Sequence, residues 1–275
     1  MFAELSAKLL TTHPDQFRYQ VALASHNLEP YPLAELEEAE QSITRIESTV
    51  TPISCETIRI GSLGDGGYQI VDFLQSRQVI SCGLARNLDF ELDMIERGSK
   101  VLAFDPTVPQ ISTIENFRHV RKWIARKNSR SIWSLRELVS EFEIPDSVTV
   151  KLDIEGSEWE FLERSLDDLQ FVDILIVEFH DFRLLSDPEF RARAVNVLER
   201  LNNDFVSISC EANNYSSVVN FGLGFIPDVM QVSFLSRKHF FKLTLLETKI
   251  DSGYPIQNNP FSLPIPNLPF TARRN

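Results

Sequence analysis

The segment VKLDIEGSEWEFLE, Val150 to Glu163, runs apolar residues into Asp153, sets Glu155 in a turn with Gly156, and resumes with helical spacing. A second run, ILIVEFH, reaches Glu178 with His180 two residues later. Two carboxylates and an imidazole at the ends of apolar strands can bind a divalent cation such as magnesium or manganese. They can equally serve as base and orienting groups for a hydroxyl nucleophile. Singly, each has a plainer reading: Asp153 as a turn or capping acid, His180 as a partly buried structural histidine.

Upstream, SCGLARNLDFE places Gly83 where a strand must turn, with Ala85 behind it and Asn87 positioned to cap the following helix. Asp105, before Pro106 in LAFDPT, lies 22 residues beyond Gly83. A glycine turn after one strand and an acid after the next is a layout for holding ribose hydroxyls, although an acid before proline is also at home in a turn. The turn is not G-x-G-x-x-G, which counts against a dinucleotide and its pyrophosphate. S-adenosylmethionine, with a ribose and no phosphate, fits better.

Elements that would position these residues are legible. Apolar runs predict strands near 78–83, 100–105, 119–125, 147–153 and 171–178, separated by helical patterns. Leu88, Leu92 and Ile95 mark one core-facing stripe. Leu135, Leu138 and Phe142 mark a second, Trp159, Leu162 and Leu166 a third, and Phe190, Ala194, Val197 and Leu201 a fourth. Ser134 with Glu137, and Ser157 with Glu160, read as capping boxes, and Glu158, Glu160 and Glu163 as acids that stabilise a helix start. Glu155, in the turn itself, is a candidate to face the pocket. Apolar strands joined by helices predict a parallel sheet covered on both faces, with ligands beyond the carboxyl ends of its strands. Two further β runs between 204 and 236, with no clear helix between them, predict an antiparallel pair at one edge.

Before this unit, Leu33, Leu36, Ile43 and Ile46 recur at helical spacing, and GDGG at 64–67 sits between two short β runs as a hairpin turn. We expect an N-terminal helical extension over 1–56, the main domain over 57–250, and an extended proline-rich tail over 251–275. The 39 acidic against 27 basic residues give a net charge of -12, which disfavours nucleic acid and anionic membranes as partners. Cys55, Cys82 and Cys210 are too far apart in sequence for a C-x-x-C site. No run approaches the roughly 20 apolar residues of a membrane span, and the N-terminus lacks a signal-peptide pattern, so a cytoplasmic location is expected.

Three pieces in order, RIGSLGDGGY, the Gly83-to-Glu91 turn followed by VLAFDPT, and KLDIEGSEWEFL with IVEFH behind it, resemble the FkbM-type S-adenosylmethionine-dependent methyltransferases. The resemblance covers roughly Arg59 to Arg237. It implies a Rossmann-like class I methyltransferase α/β fold, with a seven-stranded, mostly parallel sheet and an antiparallel edge strand. It also implies that Gly83, Ala85 and Asn87 hold the methionine part of the cofactor and that Asp105 with Pro106 holds the ribose. Asp153 would lie near the methyl group, and Asp65 would reach the cofactor unless it serves only the hairpin. Ala85 stands where a second glycine is common. The activity implied is O-methylation of a small-molecule or glycan hydroxyl, with acceptor choice in 1–56, 181–188 and 211–228. A cofactor-binding scaffold without catalysis, acting through a protein partner, and a nucleotide-dependent oxidoreductase are the competing readings.

Overall fold

The computed structural model describes residues 33–73, 78–85, 87–125, 131–142, 147–213, 216, 218–221 and 225–243; the expectations for 1–32 and 251–275 lie outside them. Its centre is a seven-stranded sheet built from β3 (Gln78–Cys82), β4 (Lys100–Phe104), β5 (Phe117–Val120), β6 (Val148–Leu152), β7 (Val172–Phe179), β8 (Phe205–Ala212) and β11 (Met230–Ser236). The spatial order is β5-β4-β3-β6-β7-β11-β8. β11 runs antiparallel to both its neighbours, one place in from the β8 edge, and the strands from β5 to β7 pair in parallel. This is the Rossmann-like, seven-stranded, mostly parallel α/β sheet expected from the sequence.

Every residue of β6, β7 and β11 is buried, as strands covered on both faces require. Side chains alternate between the two faces. Ile80, Leu102, Val150, Leu175 and Val177 pack with the helices α1 (Leu33–Val50), α3 (Leu135–Phe142), α4 (Glu158–Ser165) and α5 (Pro188–Asp204). Val79, Val101, Ala103, Ile174 and Ile176 face α2 (Asp89–Glu96) and a hairpin of β1 (Ile58–Gly61) and β2 (Gly67–Ile70). A smaller pair, β9 (Val218–Asn220) and β10 (Phe225–Pro227), lies between β8 and β11 in the chain. α1 buries Ala39, Ile43, Ile46 and Val50 against the first face, and Arg45 pairs with Glu199 on α5 at 2.8 Å.

Local departures from the sequence reading have local causes. β5 begins at Phe117 and stops at Val120, because the buried alternation is Phe117 and His119; farther on, Ile124 makes only an isolated bridge to Ile132. α2 turns Phe90, Glu91 and Met94 inward, which leaves Leu92 38% exposed. Ser134 does cap α3, its hydroxyl accepting from the Glu137 N–H at 3.3 Å, while the Glu137 carboxylate accepts from the Trp133 N–H. Ser157 makes no side-chain cap at α4. Glu160 and Glu163 are surface ion-pair partners of Arg164 and Arg193, but Glu158 is fully buried and does different work.

Candidate active site

Beyond the carboxyl ends of β3, β4 and β6 lies a cleft of about 330 Å³, lined by Gly83, Ala85, Asp105, Pro106, Thr107 and Asp153 among others. Its floor is set by the approach of two turns. The Gly83 N–H donates to the Phe104 carbonyl and the Asp153 N–H to the Cys82 carbonyl, both at 2.9 Å. Gly83 has φ +88°, and a β-carbon there would stand 1.7 Å from the Asp153 carbonyl oxygen. Ala85, in place of a second glycine, takes φ +47° without closing the turn.

Asp105 is spent on the protein itself. Its Oδ2 accepts from the N–H groups of Leu84 at 3.0 Å and Ala85 at 3.2 Å, and its Oδ1 from the Thr107 N–H at 2.7 Å and hydroxyl at 2.6 Å. A carboxylate offers about four acceptor positions, so a ribose hydroxyl would have to displace one of these donors. Burial opposes the charge, but the bonds from Thr107, Leu84 and Ala85 hold the carboxyl below its ordinary range. The residue therefore shapes the glycine turn from beneath. Asn87 does not cap the helix, whose N-cap is Leu88 without a side-chain bond; instead its Oδ1 accepts from the Asp89 N–H at 2.9 Å in an Asx turn and its amide donates to the Asp65 carbonyl at 2.9 Å. Asp65 and Asn87 thus tie the hairpin to the turn beside the cleft. Arg59 anchors the same hairpin, donating to the Ser62 and Gly64 carbonyls and pairing with buried Glu211 at 3.2 Å.

On the hairpin side of the sheet a buried polar group underlies the cleft. Lys151 donates to the Gly83 carbonyl at 2.6 Å and lies 3.8 Å from both Glu91 and Asp153. Burial disfavours its charge, but Glu91 and Asp153 outweigh that and keep its pKa raised. The Tyr68 hydroxyl faces Asp153 at 3.4 Å. Glu178 lies in the field of Asp153 and accepts from the Asn213 amide at 2.6 Å. Burial first, and then the charge of Asp153, push the Glu178 carboxyl well above its usual range.

His180 is held by α4. The Trp159 indole donates to its carbonyl at 2.7 Å, and Glu158 accepts from its N–H at 2.6 Å and lies 3.0 Å from Nδ1. Glu158 also accepts from the Gly156 N–H at 2.9 Å. Burial works against an imidazolium here, but the hydrogen bond and charge of Glu158, with Glu178 and Asp153 beyond, raise the ring to about 10. Nε2 lies 3.6 Å from Glu155, an 85%-exposed side chain on a residue with φ +55°.

The six cleft and strand-end positions Gly83, Ala85, Asp105, Pro106, Asp153 and Glu155 are therefore brought together. Asp153, Glu178 and His180 do converge electrostatically, but the ligand-type atoms within 4.8 Å of one another belong to Asp153, Glu155 and His180. Glu178 is not in that group, and its carboxylate accepts from Asn213 instead. Glu158 and Lys151 were missed as site residues. Glu158 is masked by the acids around it, whereas Lys151 was visible as a lone charge inside a strand that must be buried on both faces.

No protein-family model and no curated protein matches this chain. Among solved structures it is similar to fibrillarin in a fibrillarin/Nop5p complex, at 12% identity over 59% of this chain and 73% of that one, with a TM-score of 0.36. The Methanococcus jannaschii fibrillarin pre-rRNA processing protein matches at 11% identity over 66% and 82%, with a TM-score of 0.37. A Streptococcus agalactiae protein of the NADB-Rossmann superfamily matches at 10% identity over 70% and 67%, with a TM-score of 0.31. Among the described residues, no helix is long and apolar enough to cross a membrane.

Proposed function

We propose that the chain is an S-adenosylmethionine-dependent methyltransferase of the FkbM type acting on a hydroxyl of a small molecule or glycan. The observation that carries this reading is the cleft lined by Gly83, Ala85, Asp105 and Asp153 at the carboxyl ends of β3, β4 and β6. The cleft volume lies within the range of small-ligand sites. Gly83 and Ala85, with Asn87 and Asp65 behind them, would hold the amino-acid end of the cofactor, and Pro106 and Thr107 its ribose side. When bound, the cofactor supplies a methyl group already activated by a sulfonium charge.

The protein's own work is then positioning and proton removal. Asp153, with Glu178 beside it, accepts the acceptor hydroxyl's proton. Lys151 fixes Asp153 and the Gly83 carbonyl together, so the base and the cofactor turn cannot move independently. Calorimetric titration tests the reading: binding of S-adenosylmethionine and its demethylated product is expected, and no binding to folded protein would overturn it.

A second reading has a divalent cation at Asp153, Glu155 and His180, whose ligand-type atoms are suitably close. It predicts turnover abolished by chelator and restored by magnesium or manganese. The scaffold reading loses its support from Ala85, since that residue adopts the left-handed turn a glycine would.

A further inference from the structure

We propose that Arg191 is a positioning residue for the acceptor end of the cleft, its guanidinium fastening the turn that follows His180 to the N-terminal helix α1. The term acceptor end rests on the methyltransferase reading; the fastening does not.

The turn is a 3₁₀ segment, Phe182–Ser186, entered through Asp181 in the left-handed region at φ +69°. Neither feature is favourable alone, since 3₁₀ runs of this length are uncommon and a non-glycine residue at positive φ is strained. Ser186 adds a fully buried hydroxyl with no hydrogen-bond partner among the described residues. Outside contacts must therefore hold the segment. On one side the Asp228 carbonyl accepts from the Phe182 N–H at 3.2 Å, and its carboxylate from the Arg183 N–H at 2.8 Å. On the other stands Arg191, in the first turns of α5 and 7% exposed. Its Nη1 donates to the carbonyls of Leu185 at 3.0 Å and Ser186 at 3.2 Å, and its Nη2 to the Glu38 carboxylate on α1. The planar fork of an arginine serves both directions at once, whereas the ammonium of a lysine is a single point.

The turn in turn holds the rim of the cleft. At its entry the Trp159 indole donates to the His180 carbonyl at 2.7 Å, and Asp181 Oδ2 lies against Gly156, where a β-carbon would stand 2.7 Å from it. Gly156 belongs to the turn that carries Asp153 and Glu155. Direct contacts thus run from α1 through Arg191 and Phe182–Ser186 to the acids at the cleft, whose lining does not include Arg191 itself.

Hydrogen exchange and indole ¹H–¹⁵N spectra of the full chain test this without any ligand. The Leu184 and Asp187 amides bond to the Asp181 and Leu184 carbonyls at 2.8 Å, and in Arg191→Lys they should exchange at least about fivefold faster. The Trp159 indole resonance, assigned through its contact with the Phe182 ring, should move in the same variant. Glu199→Gln removes a neighbouring α1–α5 pair, with Arg45, and should change neither. Unaltered exchange or an unmoved indole in folded Arg191→Lys overturns the inference. So does an equal change in Glu199→Gln, which would make the turn a follower of general helix docking. Should Arg191→Lys not fold, the wild type decides: Arg191 Nη–H resonances, bonded on both sides, are expected to be resolved and slow to exchange, and their absence overturns the fastening. Calorimetry with S-adenosylmethionine separates the two readings. Affinity should stay within about twofold in Arg191→Lys; a larger loss would place the turn at the cofactor and overturn its assignment to the acceptor. If neither protein binds the cofactor, the methyltransferase reading fails while the fastening still stands or falls on the exchange data.

Discussion

Gly83 and Asp153 meet so closely that the backbone of one occupies the space where a side chain of the other would begin, with only 1.7 Å between a β-carbon on Gly83 and the Asp153 carbonyl oxygen. The obstructing atom is backbone, so it cannot swing away. Gly83→Ala must separate β3 from β6 at the cleft and also strain a φ of +88°. A loss of about 3 kcal/mol or more in unfolding free energy is expected from overpacking and backbone strain together. Urea denaturation measures it, and a near-neutral result would contradict the packing described.

Asp105→Asn should weaken the protein and the cofactor together. The amide cannot accept on both sides, so either the Leu84 and Ala85 N–H groups or Thr107 loses its partner, at a cost of about 1–3 kcal/mol. Thermal melting and calorimetric cofactor titration should move in parallel. A large loss of affinity with unchanged stability would instead indicate direct contact between Asp105 and the cofactor.

Glu178→Gln separates a neutral acid from a charged one. If Glu178 acts as a hydrogen-bond donor to Asp153, an amide of the same shape keeps that bond, and turnover should fall no more than about tenfold. Asn213 can reorient its amide to serve the new side chain. Abolished turnover in a folded variant would show that the carboxylate charge is needed.

The pH dependence of stability follows from opposite shifts. His180 is raised, so its contribution is complete below its unfolded pKa of about 6.5 and is withdrawn as pH rises toward the folded value of about 10. Glu178, also raised, acts in the same direction from the ordinary carboxylate range upward. Asp105 and Asp173 are lowered, the first by Thr107, Leu84 and Ala85 against its burial, the second by Lys238, Ser147 and His239 against its own. Their contributions are present above about pH 4 and lost as pH falls through their folded values. Unfolding free energy should therefore decline on both sides, and His180→Gln should flatten the alkaline limb between about pH 6.5 and 10. An unchanged limb would contradict the buried imidazolium.

The sheet was legible because its strands are buried on both faces and mainly apolar: nine of the thirteen residues in VTVKL and VDILIVEF are apolar. The glycine turn was legible because only a residue without a side chain fits at Gly83. What stayed hidden were distinctions among chemically identical letters. In DIEGSEWEFLE five acids follow one another, and sequence spacing cannot tell Glu158, whose helical direction points it under the chain at His180, from Glu160, which meets Arg164 in solvent. Asp105 was placed correctly at its strand end, yet whether a carboxylate there serves a ligand or its own loop depends on which N–H groups the turn brings within 3.2 Å. Both distinctions are made by tertiary contacts between turns of different strands.

The placement of β11 bears on how this molecule is assembled. Chain order makes β11 the last strand of the sheet, yet it must slot between β7 and β8 and bond to each along nearly its whole length. Until Met230–Ser236 arrives, two apolar strands each present a bare edge, the form of surface most prone to pairing with another chain. Arrival of β11 also sets Gln231 in register between Glu178 and Glu211, completing a buried row. The insertion that covers these two edges is thus the same event that completes the buried polar row behind the cleft.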